Sequence, residues 1–241
     1  DSTLLLSRTF ILSQVEADKL YLGLQSRGYE DEPAAPSAPS TTPLVLQLRG
    51  LGYRYEETEE ALKSLDLEIK RGASIALLGH NGAGKSTLFL LLSGLLEGWS
   101  GELLLEGQLV PSKERSLLRR RIALVLQNSN YQLFTPSVED ELRYGLRKLG
   151  LTEAALEQRL EELLERYELR PLRHRAPHEL SEGQRKWLAL VAVLSTDPEV
   201  ILLDEPTAAL DVEASSRVGA ILVDRLKSDG TTTVLVTHDV A

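Results

Sequence analysis

The chain has 241 residues, 42% of them hydrophobic, enough for one large domain or one domain with an appendage. A net charge of −9 and a pI near 5.1 argue against a protein that coats nucleic acid, which presents a basic face. Cysteine is absent, which excludes disulfides and thiolate metal sites and fits a reducing compartment. The apolar runs fall short of the roughly 18 residues that span a bilayer, and no cleavable signal peptide pattern is visible. Methionine is missing even at position 1, and the chain stops soon after a strand-like run, so an internal fragment of a longer protein is expected.

Residues 3–29 read as a helix, with Leu4, Leu5, Phe10, Ile11, Leu12, Val15 and Leu20 at spacings near three or four and Gly28 as a stop. On composition alone this segment is a leader or a frayed end. Residues 30–43, EDEPAAPSAPSTTP, have no periodicity and no core-forming side chains, so they form a linker. Short strands follow from Leu44: an alternating LVLQLRGLGYRY, then LDLEIKRG, then the continuous apolar run SIALLG expected of a central parallel strand. Residues 86–94 are helical, GELLLEG (101–107) is a strand, and RRIALVLQN (120–128) is a strand that stops at polar residues. Residues 139–167 form a charged helical stretch and residues 181–195 another helix. VILLDE (200–205) and TTVLVTH (232–238) are two more buried strands. Strands alternating with helices predict an α/β fold with a parallel sheet.

GHNGAGKST, residues 79–87, has the spacing Gly79-x4-Gly84-Lys85-Ser86 of a phosphate-binding loop. Its glycines, Gly79, Gly82 and Gly84, let the backbone turn so that successive N–H groups, including those of Asn81, Ala83 and Thr87, face phosphate oxygens. Lys85 brings an ammonium to the β and γ phosphates, and Ser86 offers a hydroxyl to Mg²⁺. The loop sits between a buried strand and a helix, the context that distinguishes it from a plain glycine turn. Asp204-Glu205 closes the apolar run ILLDE. Two acids at a strand end are often only a strand end; downstream of a phosphate loop they read as a Mg²⁺ carboxylate, Asp204, and a group that polarises the attacking water, Glu205.

Between these two elements stands Leu180-Ser181-Glu182-Gly183-Gln184. Phosphate loop, LSxGQ and acidic strand in that order resemble the ATP-binding cassette (ABC) ATPases from about residue 44 to the end. The resemblance implies a P-loop ABC fold: a RecA-like parallel-sheet core, an antiparallel β subdomain and a helical subdomain over about residues 128–195, with the C-terminus incomplete. It implies ATP and Mg²⁺ as cofactors and a head-to-tail dimer, most simply a homodimer. Ser181, with its hydroxyl, Gly183, with an open backbone N–H, and Gln184 would then serve the ATP held by the second subunit. By the same resemblance Gln127 is the glutamine that touches Mg²⁺ or the lytic water and senses the membrane partner. His238 is the switch histidine at the γ-phosphate, Asp211 organises the facing site, and Tyr55, rather than Tyr53, stacks on adenine. His174 and His178 read as surface residues, and His80 replaces a proline common in related loops. Glu182 stands where many relatives have glycine. Trp187 stands where they mostly have arginine, which puts in question how firmly the signature helix is held.

NSNYQLFTPSVEDELRYGLRKLGL, through Gln132, Leu133, Phe134, Val138, Asp140, Tyr144 and Gly145, is similar to the ATPases of energy-coupling factor (ECF) importers, which take up vitamins or cobalt and nickel ions. Beside it, Ser26-Arg27-Gly28-Tyr29 resembles the coupling helix that ends an ECF transmembrane T-component. The expected organisation is therefore a T-component tail over residues 1–29, a linker over 30–43 and the ATPase over 44–241. Arg27 would be a coupling residue with Glu139, Asp140 or Glu141 as acidic partner. The resemblance implies action at the cytoplasmic face of the cell membrane with a T-component, in the same polypeptide or apart, and a substrate-binding S-component, and no nucleic acid. A T-component fused to its ATPase leans the substrate toward cobalt or nickel. The rival readings are another ABC transporter class, a soluble ABC ATPase working on DNA or ribosomes, and a degenerate scaffold, which would lack Glu205 or His238.

Overall fold

In a computed structural model the described residues are 42–56, 60–77, 82–207, 210 and 231–236. They fall into two compact units. One takes the described residues up to Leu124, Glu199–Glu205 and residues 231–236; the other takes Val125–Pro198 with Pro206, Thr207 and Leu210. The coupling-helix reading of residues 1–29, most of the linker, and Gly79, His80, Asn81, Asp211 and His238 lie outside the described residues.

The first unit holds two sheets. Strands β1 (Leu44–Arg54), β2 (Glu60–Lys70), β4 (Ser100–Leu105) and β5 (Gln108–Leu109) pair antiparallel in the order β2-β1-β4-β5. Their inward residues, among them Leu46, Leu48, Leu51, Leu62, Ile69, Leu103 and Leu105, are buried. The second sheet runs β3-β8-β7-β6, with β3 (Ser74–Leu77), β8 (Thr232–Val236) and β7 (Val200–Asp204) parallel and β6 (Ile122–Val125) at one edge. All five residues of β7 are buried, which is why this strand reads as a continuous apolar run rather than an alternating one. The short helix α1 (Lys85–Leu92) follows β3 and buries Leu88, Phe89, Leu91 and Leu92. Arg121 and Arg71 pair with Glu106 and Glu199, joining the edges of the two sheets through one charged cluster.

Two local expectations shift. Arg120 and Arg121 belong to a helix, α2 (Ser116–Arg121), not to the strand that follows; Leu118 buries one face of it, and Arg119 donates Nε to the Gly94 carbonyl over 3.0 Å. The stretch 139–167 is two helices, α3 (Val138–Arg147) and α4 (Glu153–Arg166). Gly150, at φ 67°, ends the first turn region, and the Thr152 hydroxyl accepts from Ala155 N–H to start the next helix, local signals that outweigh the continuing leucine period.

The second unit is helical: α3, α4 and α5 (Glu182–Leu194), with a short 3₁₀ turn at Ser129–Tyr131 ahead of α3 and two more, Arg170–Leu172 and Pro177–Glu179, between α4 and α5. Gly145 on α3 allows close approach to α5, since a Cβ there would lie 2.7 Å from Ser195 Oγ. Among the described residues no helix is long and apolar enough to cross a membrane.

Candidate functional site

The left-handed Gly84 (φ 84°) opens α1, and an added Cβ would meet the Ala61 carbonyl at 2.4 Å, so only glycine fits. The next residue, Lys85, is buried; desolvation lowers its pKa, while the carboxylates of Glu205 and Asp204 pull it back up. Ser86 Oγ donates to Asp204 Oδ2 over 2.9 Å, a bond between a helix start and a strand end 118 residues apart. A hydroxyl beside a buried carboxylate is a pair of hard oxygen donors of the kind Mg²⁺ takes when phosphates supply the rest of its shell.

Glu205 follows β7 with φ 48°, a left-handed backbone unusual for a side-chain-bearing residue. Its N–H donates to the Val236 carbonyl over 3.0 Å, continuing the β7–β8 ladder one residue past Asp204. Tyr55 leaves the end of β1 and shares a 3.2 Å hydrogen bond with Thr87 Oγ1. The Tyr53 ring stands edge-on to it, centroids 5.0 Å apart, with its phenol pKa raised by burial and then by Tyr55. Thus one unit brings together Tyr55, Lys85, Ser86, Thr87, Asp204 and Glu205: an aromatic face, a cation, two aliphatic hydroxyls and two carboxylates.

In the helical unit, Ser181 is the N-cap of α5. Its Oγ accepts from Gln184 N–H at 3.2 Å, and Gln184 Oε1 accepts from Ser181 N–H at 3.0 Å. This is a capping box, legible in the Ser-x-x-Gln spacing but not used in the sequence reading. Because Ser181 Oγ accepts within the box, its own proton remains to be donated outward, and the Gly183 N–H lies in the first turn where helices favour anions. Trp187 is buried on α5 and donates Nε1–H to the Tyr167 carbonyl over 3.0 Å, with the two rings edge-on at 5.9 Å. Trp187 thus ties the signature helix to the end of α4. Gln127 is exposed just after β6.

The segment after β6 has a definite form. Gln132 Oε1 accepts from Leu126 N–H at 2.8 Å, folding the loop back, and Glu141 accepts from Phe134 N–H, Thr135 N–H and Thr135 Oγ1. Phe134 and Tyr144 are left 66% and 46% exposed, edge-on at 5.0 Å, with Lys148 Nζ 4.9 Å from the Tyr144 ring centre. Glu139 is engaged by Arg143 at 2.7 Å and Arg173 at 2.6 Å, and the hydrogen bond from Arg173, then that from Arg143, lowers its pKa to about 2. Glu139 and Glu141 are thus both engaged within the helical unit. Asp140, which accepts from Ser137 Oγ at 2.6 Å, is the exposed acid of the three. His174 and His178 lie at the surface, His174 with Nδ1 3.6 Å from Glu139.

Residues 62–208 match the family model described as ABC transporter. The chain belongs to the ABC transporter family. It is an ABC ATPase with the P-loop ABC fold, a class of ATP-binding, ATP-hydrolysing transporter subunits. The energy-coupling factor transporter ATP-binding protein EcfA of Methanosphaera stadtmanae is 39% identical over 198 residues, covering 81% of this chain and 71% of that protein. The solved cbiO1 of Clostridium perfringens, described as part of the ABC transporter complex cbiONQ, is 37% identical with TM-score 0.72, covering 82% of this chain and 79% of its own. A dimeric ATP-binding cassette solved in a post-hydrolysis state with ADP and Pi is 28% identical with TM-score 0.71, covering 81% of this chain and 88% of its own.

Proposed function

We propose that this ABC ATPase is the energising subunit of an ECF-type importer, working at the cytoplasmic face of the cell membrane to drive uptake of a transition-metal ion, cobalt or nickel, or of a vitamin. The observation that carries it is the loop and helix from Gln132 to Lys148: a loop tied down by Gln132 and Glu141 that presents the Phe134–Tyr144 pair outward. The similarity to EcfA and to cbiO1 supports the same reading. The outward pair offers the T-component an aromatic contact, and an S-component on the far side binds the substrate. Residues 1–29 are the tail of a T-component coupling helix, residues 30–43 the linker and residues 44–241 the ATPase, its helical subdomain at about 128–195.

The chemistry is hydrolysis of ATP at the γ-phosphorus. Tyr55 stacks on the base, and the loop N–H groups of Gly79, Asn81, Gly82, Ala83, Gly84, Lys85, Ser86 and Thr87 with the Lys85 ammonium hold the phosphates. Ser86 and Asp204 would hold Mg²⁺, with Gln127 as the further expected ligand, and the ion would supply charge neutralisation for the phosphates. Glu205 accepts a hydrogen bond from the attacking water and draws its proton as the bond to phosphorus forms; the bond to the bridging oxygen breaks, leaving ADP and phosphate. His238 stabilises the γ-phosphate. Ser181, Gly183 and Gln184 of a second copy close over the nucleotide, with Asp211 at the seam, so two copies stand head to tail.

Measured in the full-length protein, Glu205→Gln keeps ATP binding and loses most turnover, while Lys85→Ala weakens binding itself. Equal ATPase rates for wild type and Glu205→Gln sink the assignment. For the importer reading, Arg27→Glu reduces cobalt or nickel uptake severely in cells carrying the S-component while ATP binding survives. Unchanged uptake returns the first segment to an uninterpreted leader.

A further inference from the structure

A hydroxyl that serves a phosphate must point in one direction, and the backbone that carries Ser181 is held from both sides. Leu180 closes the 3₁₀ turn Pro177–Glu179 with extended backbone (φ −80°, ψ 152°), and Ser181 follows in the same region (φ −62°, ψ 163°). The peptide unit between them has a carbonyl on one edge and an N–H on the other. The N–H donates to Gln184 Oε1 over 3.0 Å, the backbone half of the capping box. The carbonyl accepts from Arg185 Nη1, on the next residue of the same helical turn. A peptide unit is planar, so a bond at each edge fixes the orientation of the whole plate. That orientation sets the direction in which Ser181 carries its side chain. Arg185 is half-buried, and its Nε is buried with no hydrogen-bond partner among the described residues. A freely solvated arm would extend to water rather than leave a donor unsatisfied, so the bond to Leu180 holds the guanidinium in place.

We infer that Arg185 is a positioning residue for Ser181: by holding the Leu180 carbonyl it completes, with Gln184, a two-sided clamp on the peptide that aims the Ser181 hydroxyl out of the helix N-terminus. This rests on the reading of Ser181 as a ligand to the nucleotide of a second copy, and it adds a residue beyond the LSEGQ segment. The Ser-x-x-Gln box fixes only one edge of the plate. Arg185 stands four positions after Ser181, on the same helix face, and its long side chain reaches back over the first turn to the other edge. A single carbonyl asks for one donor, so a lysine ammonium can replace this guanidinium, as it cannot at a bidentate site. The role differs from direct contact between Arg185 and the phosphates of a second copy's nucleotide. Such a contact predicts no change in the nucleotide-free chain when the guanidinium is removed.

The test uses four variants of the full-length protein: Arg185→Met, which keeps the apolar stem and removes the donors, Arg185→Lys, which keeps one donor group, Ser181→Ala, and the Ser181→Ala/Arg185→Met double. Two readouts are taken: residue-resolved hydrogen exchange of the Ser181 amide without nucleotide, and the kcat and KM of ATP hydrolysis. Loss of one clamp bond predicts exchange at Ser181 roughly three- to tenfold faster in Arg185→Met, with kcat lowered by a similar factor. Arg185→Lys restores both to within about twofold of wild type. In the Ser181→Ala background Arg185→Met lowers kcat little further, because it acts through a hydroxyl already removed. Met and Lys match Arg in helix propensity, so amides deeper in α5, past Trp187, exchange as in wild type and mark the effect as local. The proposal is overturned if exchange at Ser181 is unchanged in Arg185→Met, if the whole of α5 loosens equally, if lysine fails to restore the wild-type rates, or if the kcat loss persists undiminished in the Ser181→Ala background. Wild-type turnover in Ser181→Ala would instead defeat the composite-site reading, while exchange at the Ser181 amide would still decide whether Arg185 holds its peptide.

Discussion

The indole nitrogen of Trp187 donates to the main-chain oxygen of Tyr167 across 3.0 Å, tying the middle of the signature helix to the C-terminal cap of α4. That oxygen is one of the orphan carbonyls every helix end leaves behind, so the bond satisfies a buried acceptor as well as joining two elements. Trp187→Phe retains most of the apolar contact and removes the donor, and stability is expected to fall by about 1–3 kcal/mol in urea unfolding. A loss below that range would show that water replaces the indole.

The left-handed backbone of Glu205 makes a prediction about substitution order. Glycine normally destabilises relative to alanine, but at φ 48° alanine carries the steric conflict. Pro206 adds to it, since a residue before proline is pushed toward extended backbone. Glu205→Gly is therefore expected to be more stable than Glu205→Ala by about 1 kcal/mol. The reverse order in denaturant unfolding would remove the strain from Glu205.

Glu139 couples the helical unit to pH. Its folded pKa is about 2 against an ordinary 4.5, because Arg173 and Arg143 hydrogen-bond its ionised form. A depressed carboxylate pKa contributes stability that is present above about 4.5 and is lost as pH falls toward 2, on the order of 2 kcal/mol in all. Wild type should exceed Glu139→Gln by a constant margin from pH 7 to pH 5, narrowing progressively below it. A margin that does not change between pH 6 and pH 3 would mean the pairing with Arg143 and Arg173 lacks this linkage.

The trans role of Ser181 is open to complementation. With the capping box holding its Oγ, Ser181→Arg places a large cation where the partner's nucleotide would close, and the chain alone is expected to be inactive. Mixed with an equally inactive Lys85→Ala chain, it should recover one intact composite site per mixed dimer, about a quarter of the wild-type rate for random pairing of equal amounts if the two sites act independently. Full activity of Ser181→Arg alone would falsify the composite site.

What the sequence by itself determined was whatever lies close together along the chain. The phosphate loop from Gly79, the acid pair at Asp204 and Glu205, and LSEGQ are contiguous, and their residue types admit few other uses. The β7 strand was legible because a strand covered on both faces must be apolar at every position. The break between α3 and α4 was written in Gly150 and Thr152, yet the leucine period running past them obscured it. Only the tertiary structure decided which distant residues meet. Ser86 finds Asp204, Tyr55 finds Thr87 and Trp187 finds Tyr167 through packing, and no local propensity encodes those partners. The same packing withdrew Glu139 and Glu141 from the surface acids, because Arg143 and Arg173 claim one and the loop amides of Phe134 and Thr135 the other. Periodicity and short motifs report backbone conformation and local chemistry; whether a given charge is free or consumed depends on long-range contacts that form only when the chain folds.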